Sequence, residues 1–119
     1  MKQLIVCSNH PVEKWEAKMV EGWDNIEWIQ FPNVSSSIDR DELTMEALLL
    51  RAKLAKKVVD IDWENTYFSV QGESGLCYEL FLATPSWKYI FPVTERVSSE
   101  EMKDGVVTKT SKFEFKGWR

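Results

Sequence analysis

Short, nearly continuous apolar runs alternate along this chain with stretches whose apolar residues recur at three- and four-residue spacing. That is the pattern of a sheet with helices packed on it. Gln3 to Cys7 is the first such run and reads as a strand buried on both faces, as in a parallel sheet. Pro11 suits the first turn of a helix, and Val12, Trp15 and Met19 follow at helical spacing as far as Gly22, a C-terminal stop. Ile26 to Phe31 reads as a second strand ended by Pro32, and Asn33 to Ser37 is a polar loop. Ser37 or Asp39 can then cap a long helix from about Asp41 to Val59. Leu43, Ala47, Leu50, Leu54 and Val58 share one face of it, with Arg51, Lys53, Lys56 and Lys57 mostly off that face.

Thr66 to Val70, rich in β-branched and aromatic residues, predicts a third strand. The turn Gln71-Gly72-Glu73-Ser74-Gly75 leads into a short helix over Leu76 to Ala83 that Pro85 terminates, and Lys88 to Val93 predicts a fourth strand entering Thr94-Glu95-Arg96. Asp104-Gly105 is a strong turn signal between two extended arms, at about Val97 to Met102 and Val106 to Phe115. The expectation is one α/β domain over residues 1–119, in which 1–93 form a mainly parallel sheet of about four strands flanked by helices and 94–119 a β-hairpin and tail. No internal repeat, low-complexity tract or linker interrupts it.

The 119 residues, 44% of them hydrophobic and 13% aromatic, suffice for one packed core. Met1 to Val6 turns polar at Ser8-Asn9-His10 without a cleavage pattern, and no apolar stretch approaches the roughly 20 residues of a membrane span. A soluble, cytoplasmic protein is expected, without a membrane partner. Cys7 and Cys77 are too few for a disulfide framework or a zinc site and read as buried reduced thiols. A net charge of −4 argues against a protein that coats DNA or long RNA. Lys88 to Arg119 nevertheless carries seven basic and five acidic residues, a balance of +2 that leaves −6 for the first 87. That asymmetry fits a ligand with a few phosphates, and fits equally a solvated charged hairpin.

Parallel strands open their carboxyl ends on one edge, where ligands of such folds bind. Three polar clusters fall there: Ser8-Asn9-His10, Gln71 to Gly75, and Thr94-Glu95-Arg96. Gly72 and Gly75 at a helix entry would let backbone N–H groups approach a phosphate, although their spacing matches neither a Walker loop nor a dinucleotide fingerprint. An ordinary strand-to-helix turn accounts for them as well, and Glu73 would repel an anion unless it points away. His10, the single histidine, is either a cap residue or an acid/base or phosphate contact. Arg96 offers a planar fork for phosphate or is simply a surface arginine. Trp15, Trp28 and Trp63 read as packing, whereas Trp87 or Trp118 could stack on a purine. No Ser-His-Asp set, Cys-His pair or metal-spaced cluster is legible, and no cofactor is implied.

The strand ending in Ser8-Asn9-His10-Pro11, the Gln71-Gly72 turn before a helix, and Thr94-Glu95-Arg96-Val97 running into Asp104-Gly105 and Lys109-Thr110-Ser111-Lys112-Phe113 together resemble one family. It is that of the small stand-alone proteins of type III CRISPR loci, of the Csx type numbered twenty, and the likeness runs in order over nearly the whole chain. It implies a CARF-like Rossmann core and ring nuclease activity on cyclic oligoadenylate, above all cyclic tetra-adenylate, by metal-independent attack of a ribose 2′-hydroxyl on its adjacent phosphate. A ring with repeated symmetry further suits a homodimer.

The resemblance implies Ser8, His10 and Arg96 as the catalytic set, with Ser8 and Gln71 orienting the ribose. Asn9, Gly72, Glu73, Ser74, Gly75 and Thr94 complete the implied ligand-binding residues, the Gly72 to Gly75 backbone holding phosphate with Arg96. The tail departs from the family pattern, having Phe115, Lys116 and Gly117 before Trp118-Arg119 where relatives place a histidine and further arginines, so Lys116 or Arg119 would have to serve as phosphate partners. A sensor or sponge that binds the ring without cleaving it, and an interaction module that docks by its hairpin edge, are the alternatives.

Overall fold

Three short strands set the frame of the computed structural model, which describes residues 1–119. β1 (Gln3–Ser8), β2 (Asn25–Gln30) and β3 (Thr66–Val70) form a parallel sheet in the order β2-β1-β3, with Gln3 level with Asn25 on one side and Thr66 on the other. All six residues of β1 are buried, as its central place and unbroken apolar run require. Gln3, the polar exception, is satisfied: its side-chain amide donates to the Val59 carbonyl at 3.1 Å and accepts from the Val59 N–H at 3.0 Å.

Two helices, α2 (Arg40–Ala55) and α3 (Ser74–Ala83), cover one face of the sheet, and α1 (Ala17–Val20) lies toward the other. The main core joins Ile5 and Cys7 of β1 and Phe68 and Val70 of β3 to Ala47, Leu50 and Leu54 of α2 and Leu76 and Leu80 of α3. Leu43 and Val58, expected on the buried face of α2, pack half-buried against that core. Asp39 rather than Ser37 is the cap, its carboxylate accepting from the Glu42 N–H at 2.8 Å. The helix ends at Ala55, short of Val59, because Val58 turns extended and Val59 is taken by Gln3.

Two expectations need correction. The segment after Pro11 is not one helix but a single 3-10 turn at Val12–Lys14 and the one-turn α1, separated by Trp15 and Glu16 in extended conformation. The indole N–H of Trp15 instead bonds back to the His10 carbonyl at 3.2 Å. The fourth strand is reduced to one parallel bridge between Phe68 and Tyr89. Lys88 and Ile90 bond to Phe68, but Phe91 already changes partner and exchanges two 2.8 Å bonds with Arg119. The sheet therefore has three strands, and the next strand belongs to the hairpin.

That hairpin joins β4 (Pro92–Lys103) and β5 (Val106–Trp118) through Asp104 at φ 54° and Gly105 at φ 77°. Positive φ at both central residues is the type I′ turn that Asp-Gly favours. An irregularity between Val93 and Thr94 re-aims the base of the arm. Only that base packs on the body: Phe115 is buried, whereas residues 98–113 are exposed throughout. The arm stretches the molecule to 56 × 41 × 21 Å.

Candidate functional site

A strand order of β2-β1-β3 means that the chain leaves β1 to one side for β2 and then crosses back past β1 to reach β3 on the other. The crevice between the carboxyl ends of β1 and β3 is then the switch point where open α/β sheets hold ligands. A pocket of about 260 Å³ lies there, on the α1 side of the sheet. Val6, Ser8 and Ser69 supply its sheet-side wall, and Gln71 lies just past the end of β3. The base of the hairpin closes it with Thr94, Phe113 and Phe115, and Lys14, Trp15, Glu16 and His10 complete the remaining wall.

An aromatic cluster fixes this wall. Trp118 lies 5.7 Å from Trp15, 6.3 Å from Trp23 and 5.4 Å from Phe115 between ring centroids, and its indole N–H bonds to the Met19 carbonyl at 3.3 Å. The C-terminus thus holds hairpin and α1 together around the cavity. Four residues expected at the site meet in the pocket: Ser8 and His10 at the end of β1, Gln71 after β3, and Thr94, which lies near the start of the antiparallel β4 rather than after a fourth parallel strand.

Their chemical states differ. Ser8 Oγ donates to the His10 carbonyl at 3.1 Å and accepts from the Trp28 indole at 3.2 Å and the His10 N–H at 3.4 Å. A buried hydroxyl so engaged shapes the turn after β1 rather than standing free for a ligand. At His10 these bonds use the backbone, which leaves the exposed imidazole at the pocket wall. Gln71 is anchored by its backbone N–H to the Cys7 carbonyl at 3.0 Å, and its side chain is exposed.

The other expected residues lie elsewhere. Asn9 accepts a 2.7 Å bond from the Gln30 amide and lines a separate open cleft with Lys53 and Glu73, among others. The turn from Gly72 to Gly75 is closed on itself. Glu73 caps α3, its carboxylate accepting from Leu76 N–H at 2.7 Å and Gly75 N–H at 2.9 Å. Those two bonds, the Leu76 one foremost, hold its carboxyl below the usual glutamate range. The amides reserved by expectation for a phosphate therefore already hold a carboxylate. Gly72 is required for another reason, since a Cβ there would stand 2.4 Å from the Phe31 ring. Ser74 and Gly75 line neither cavity.

Arg96 sits outside the pocket, donating to Ser111 Oγ at 3.2 Å, yet it is directly opposite Phe113 in the hairpin and hence at the pocket's outer lip. Lys116 is committed to Glu114 at 3.1 Å and lies 3.7 Å from Glu95; the Glu114 hydrogen bond chiefly raises its pKa and lowers that of Glu114. Arg119 is held through its backbone to Phe91.

Sequence reading missed Lys14 and Glu16 as wall residues, Ser69 on the sheet side and Phe113 and Phe115 in the hairpin. Only the last two carried a signal: they alternate at the strand period and so face the same way. A wider cleft of about 510 Å³ at the opposite end of β3 is aromatic but self-paired. There Trp87 stacks on Phe68 at 4.1 Å and the Lys88 amine lies 4.7 Å over Tyr67. Cys7 and Cys77 are free thiols, and burial chiefly pushes Cys7 up to about 12. No three His, Cys, Asp or Glu side chains converge as a metal site, and no helix is long and apolar enough to cross a membrane.

Compared with known proteins, the chain matches neither a curated protein nor a solved structure. The family model described as "Uncharacterized protein MJ1673 family" matches residues 2–119, all but the first residue. The chain belongs to the MJ1673 family.

Proposed function

We propose that the pocket between the carboxyl edge of the sheet and the hairpin base binds one nucleotide of a cyclic oligoadenylate, and that the protein opens the ring. The observation that carries this reading is the convergence of His10, Gln71 and Thr94 with the paired tryptophans Trp15 and Trp118 at the switch point. The sequence resemblance to the ring nucleases of type III CRISPR loci supplies the ligand class, and the CARF-like Rossmann core belongs to the same proposal. A volume of about 260 Å³ is below that usual for a drug-sized ligand, so it suits a single nucleotide unit. The rest of a ring would run outward past Phe113 to Arg96, whose guanidinium suits a phosphate.

In the reaction a ribose 2′-oxygen attacks its own 3′-phosphorus, the bond from phosphorus to the next 5′-oxygen breaks, and a 2′,3′-cyclic phosphate and a 5′-hydroxyl result. No water is consumed; the proton lost by the 2′-hydroxyl is balanced by one delivered to the leaving oxygen. His10 is the residue to move a proton, Gln71 and Thr94 position the ribose, and Arg96 meets the charge on the phosphate. Ser8 acts through the turn that holds His10, as a positioning residue.

Incubating the protein with cyclic tetra-adenylate in EDTA tests the chemistry. Linear products ending in 2′,3′-cyclic phosphate, slowed in His10→Ala, are the expected result, and an intact ring after prolonged exposure would refute cleavage. Binding without cleavage, the sponge reading, is favoured by the engagement of the Ser8 hydroxyl in the turn after β1. It is recognised by a thermal shift with the ring but no product.

A further inference from the structure

Between Ser98 and Phe113 the hairpin is exposed throughout, a two-stranded ribbon with both edges open, Met102 78% and Phe113 69% exposed. An isolated two-stranded hairpin is marginal in water, and an open edge is a template for another strand. We infer that the outer edge of β5 pairs antiparallel with the same edge of a second copy of this chain, giving a four-stranded sheet β4-β5-β5-β4 across a two-fold axis at Thr110.

The choice of edge and register follows from the residues. Over the exposed arm β4 carries Glu100, Glu101 and Lys103 among the six residues Ser98 to Lys103, the kind of charge by which edges are protected, whereas β5 carries only Lys109 and Lys112 among the eight residues Val106 to Phe113. Both lysines are already neutralised within the arm, Lys109 by Glu100 at 3.6 Å and Lys112 by Glu114 at 3.8 Å. The two-residue turn makes Lys103 and Val106 a hydrogen-bonded pair, so the odd-numbered residues of β5 direct their N–H and C=O groups outward.

An isologous pairing centred on Thr110 sets Val107 against the other copy's Phe113, Thr108 against Lys112 and Lys109 against Ser111. Apolar meets apolar and no like charges oppose one another. Centring one residue earlier would set Lys109 against Lys109. The pairing also lays the apolar tip of each arm beside Phe113 at the mouth of the other copy's pocket, so each copy adds to the rim of its neighbour's site. The interface rests on the edge and its register, whatever ligand the pocket takes.

Sedimentation and light scattering on the full chain should report twice the 13.9 kDa chain mass. Thr110→Lys puts two ammonium groups face to face and should raise the dimer dissociation constant about tenfold or more. Mixing it with Thr110→Glu should restore a dimer that neither variant forms alone. Thr110→Cys, at a non-hydrogen-bonded pair with Cα atoms about 4.5 Å apart, should give a covalent dimer on oxidation, and Lys109→Cys should not. A monomer throughout the micromolar range overturns the inference. So does a dimer indifferent to Thr110→Lys, which would assign the interface to another surface such as the exposed Met45, Leu49, Tyr78 and Leu82 of α2 and α3.

Discussion

Replacing Gly72 by alanine separates two explanations of the turn after β3. A methyl group at this position would meet three carbons of the Phe31 ring at 2.4 Å, and Phe31 is 4% exposed within the core, so the ring cannot swing into solvent. Overpacking of this kind costs roughly 1–3 kcal/mol. Gly72 has no positive φ, so alanine recovers roughly 0.4–1 kcal/mol by restricting the unfolded chain. The net expectation is a loss of about 1–2 kcal/mol, which for a chain of this length lowers Tm by roughly 3–10 °C. Calorimetry on Gly72→Ala, Phe31→Leu and the double variant measures it, and the smaller side chain at 31 should absorb much of the alanine's cost, giving non-additivity of about 1 kcal/mol. Unchanged stability together with lost ligand affinity would refute the packing account and return Gly72 to a phosphate-binding role.

The remaining expectations are simpler. Trp118→Ala removes the indole that joins α1 to the hairpin and should cost roughly 2–4 kcal/mol by denaturant unfolding, with Trp118→Phe milder; a neutral result would mean that the base of the arm is held elsewhere. Burial holds the Cys7 thiol near 12, so at pH 8 a thiol reagent should leave Cys7 unmodified until denaturant is added, and rapid native labelling located there by mass spectrometry would contradict its packing. The depressed Glu73 pKa means that its cap stabilises α3 above the unfolded pKa near 4.5 and loses that contribution as pH falls through the lower folded value. The Tm difference between the native chain and Glu73→Ala should therefore shrink on acidification below that point, and a pH-independent difference would deny the charged cap.

The elements with one strong local signal were legible in the chain. β1 announces itself as an apolar run, β3 by its β-branched and aromatic residues, α2 by its heptad-like stripe, and the turn at Asp104-Gly105 by the residue pair that tolerates positive φ. Where long-range partners compete, local pattern failed. Val12, Trp15 and Met19 have helical spacing, but Trp15 spends its indole N–H on the His10 carbonyl and turns toward Trp118, and the helix breaks. Lys88 to Val93 has a strand composition, but at Phe91 the C-terminal residue takes over the backbone bonds a fourth strand would need. The candidate site divides in the same way. Ser8, His10 and Gln71 were placed by topology, since the ends of parallel strands must share an edge, whereas Thr94 reaches the pocket from the start of the antiparallel β4 and not from the end of a fourth parallel strand. Glu73 closed the glycine turn on itself, and Lys116 found acidic neighbours, because neither outcome depends on spacing alone.

Calorimetric titration of cyclic tetra-adenylate into the native chain and into Gln71→Trp addresses the pocket itself. Gln71 is exposed, so an indole there fills the mouth without disturbing the core. Saturable binding to the native chain that is lost in Gln71→Trp at unchanged Tm is the expected result. No heat of binding to the native chain, or equal affinity in both, would contradict a ligand site at the carboxyl edge of β1 and β3.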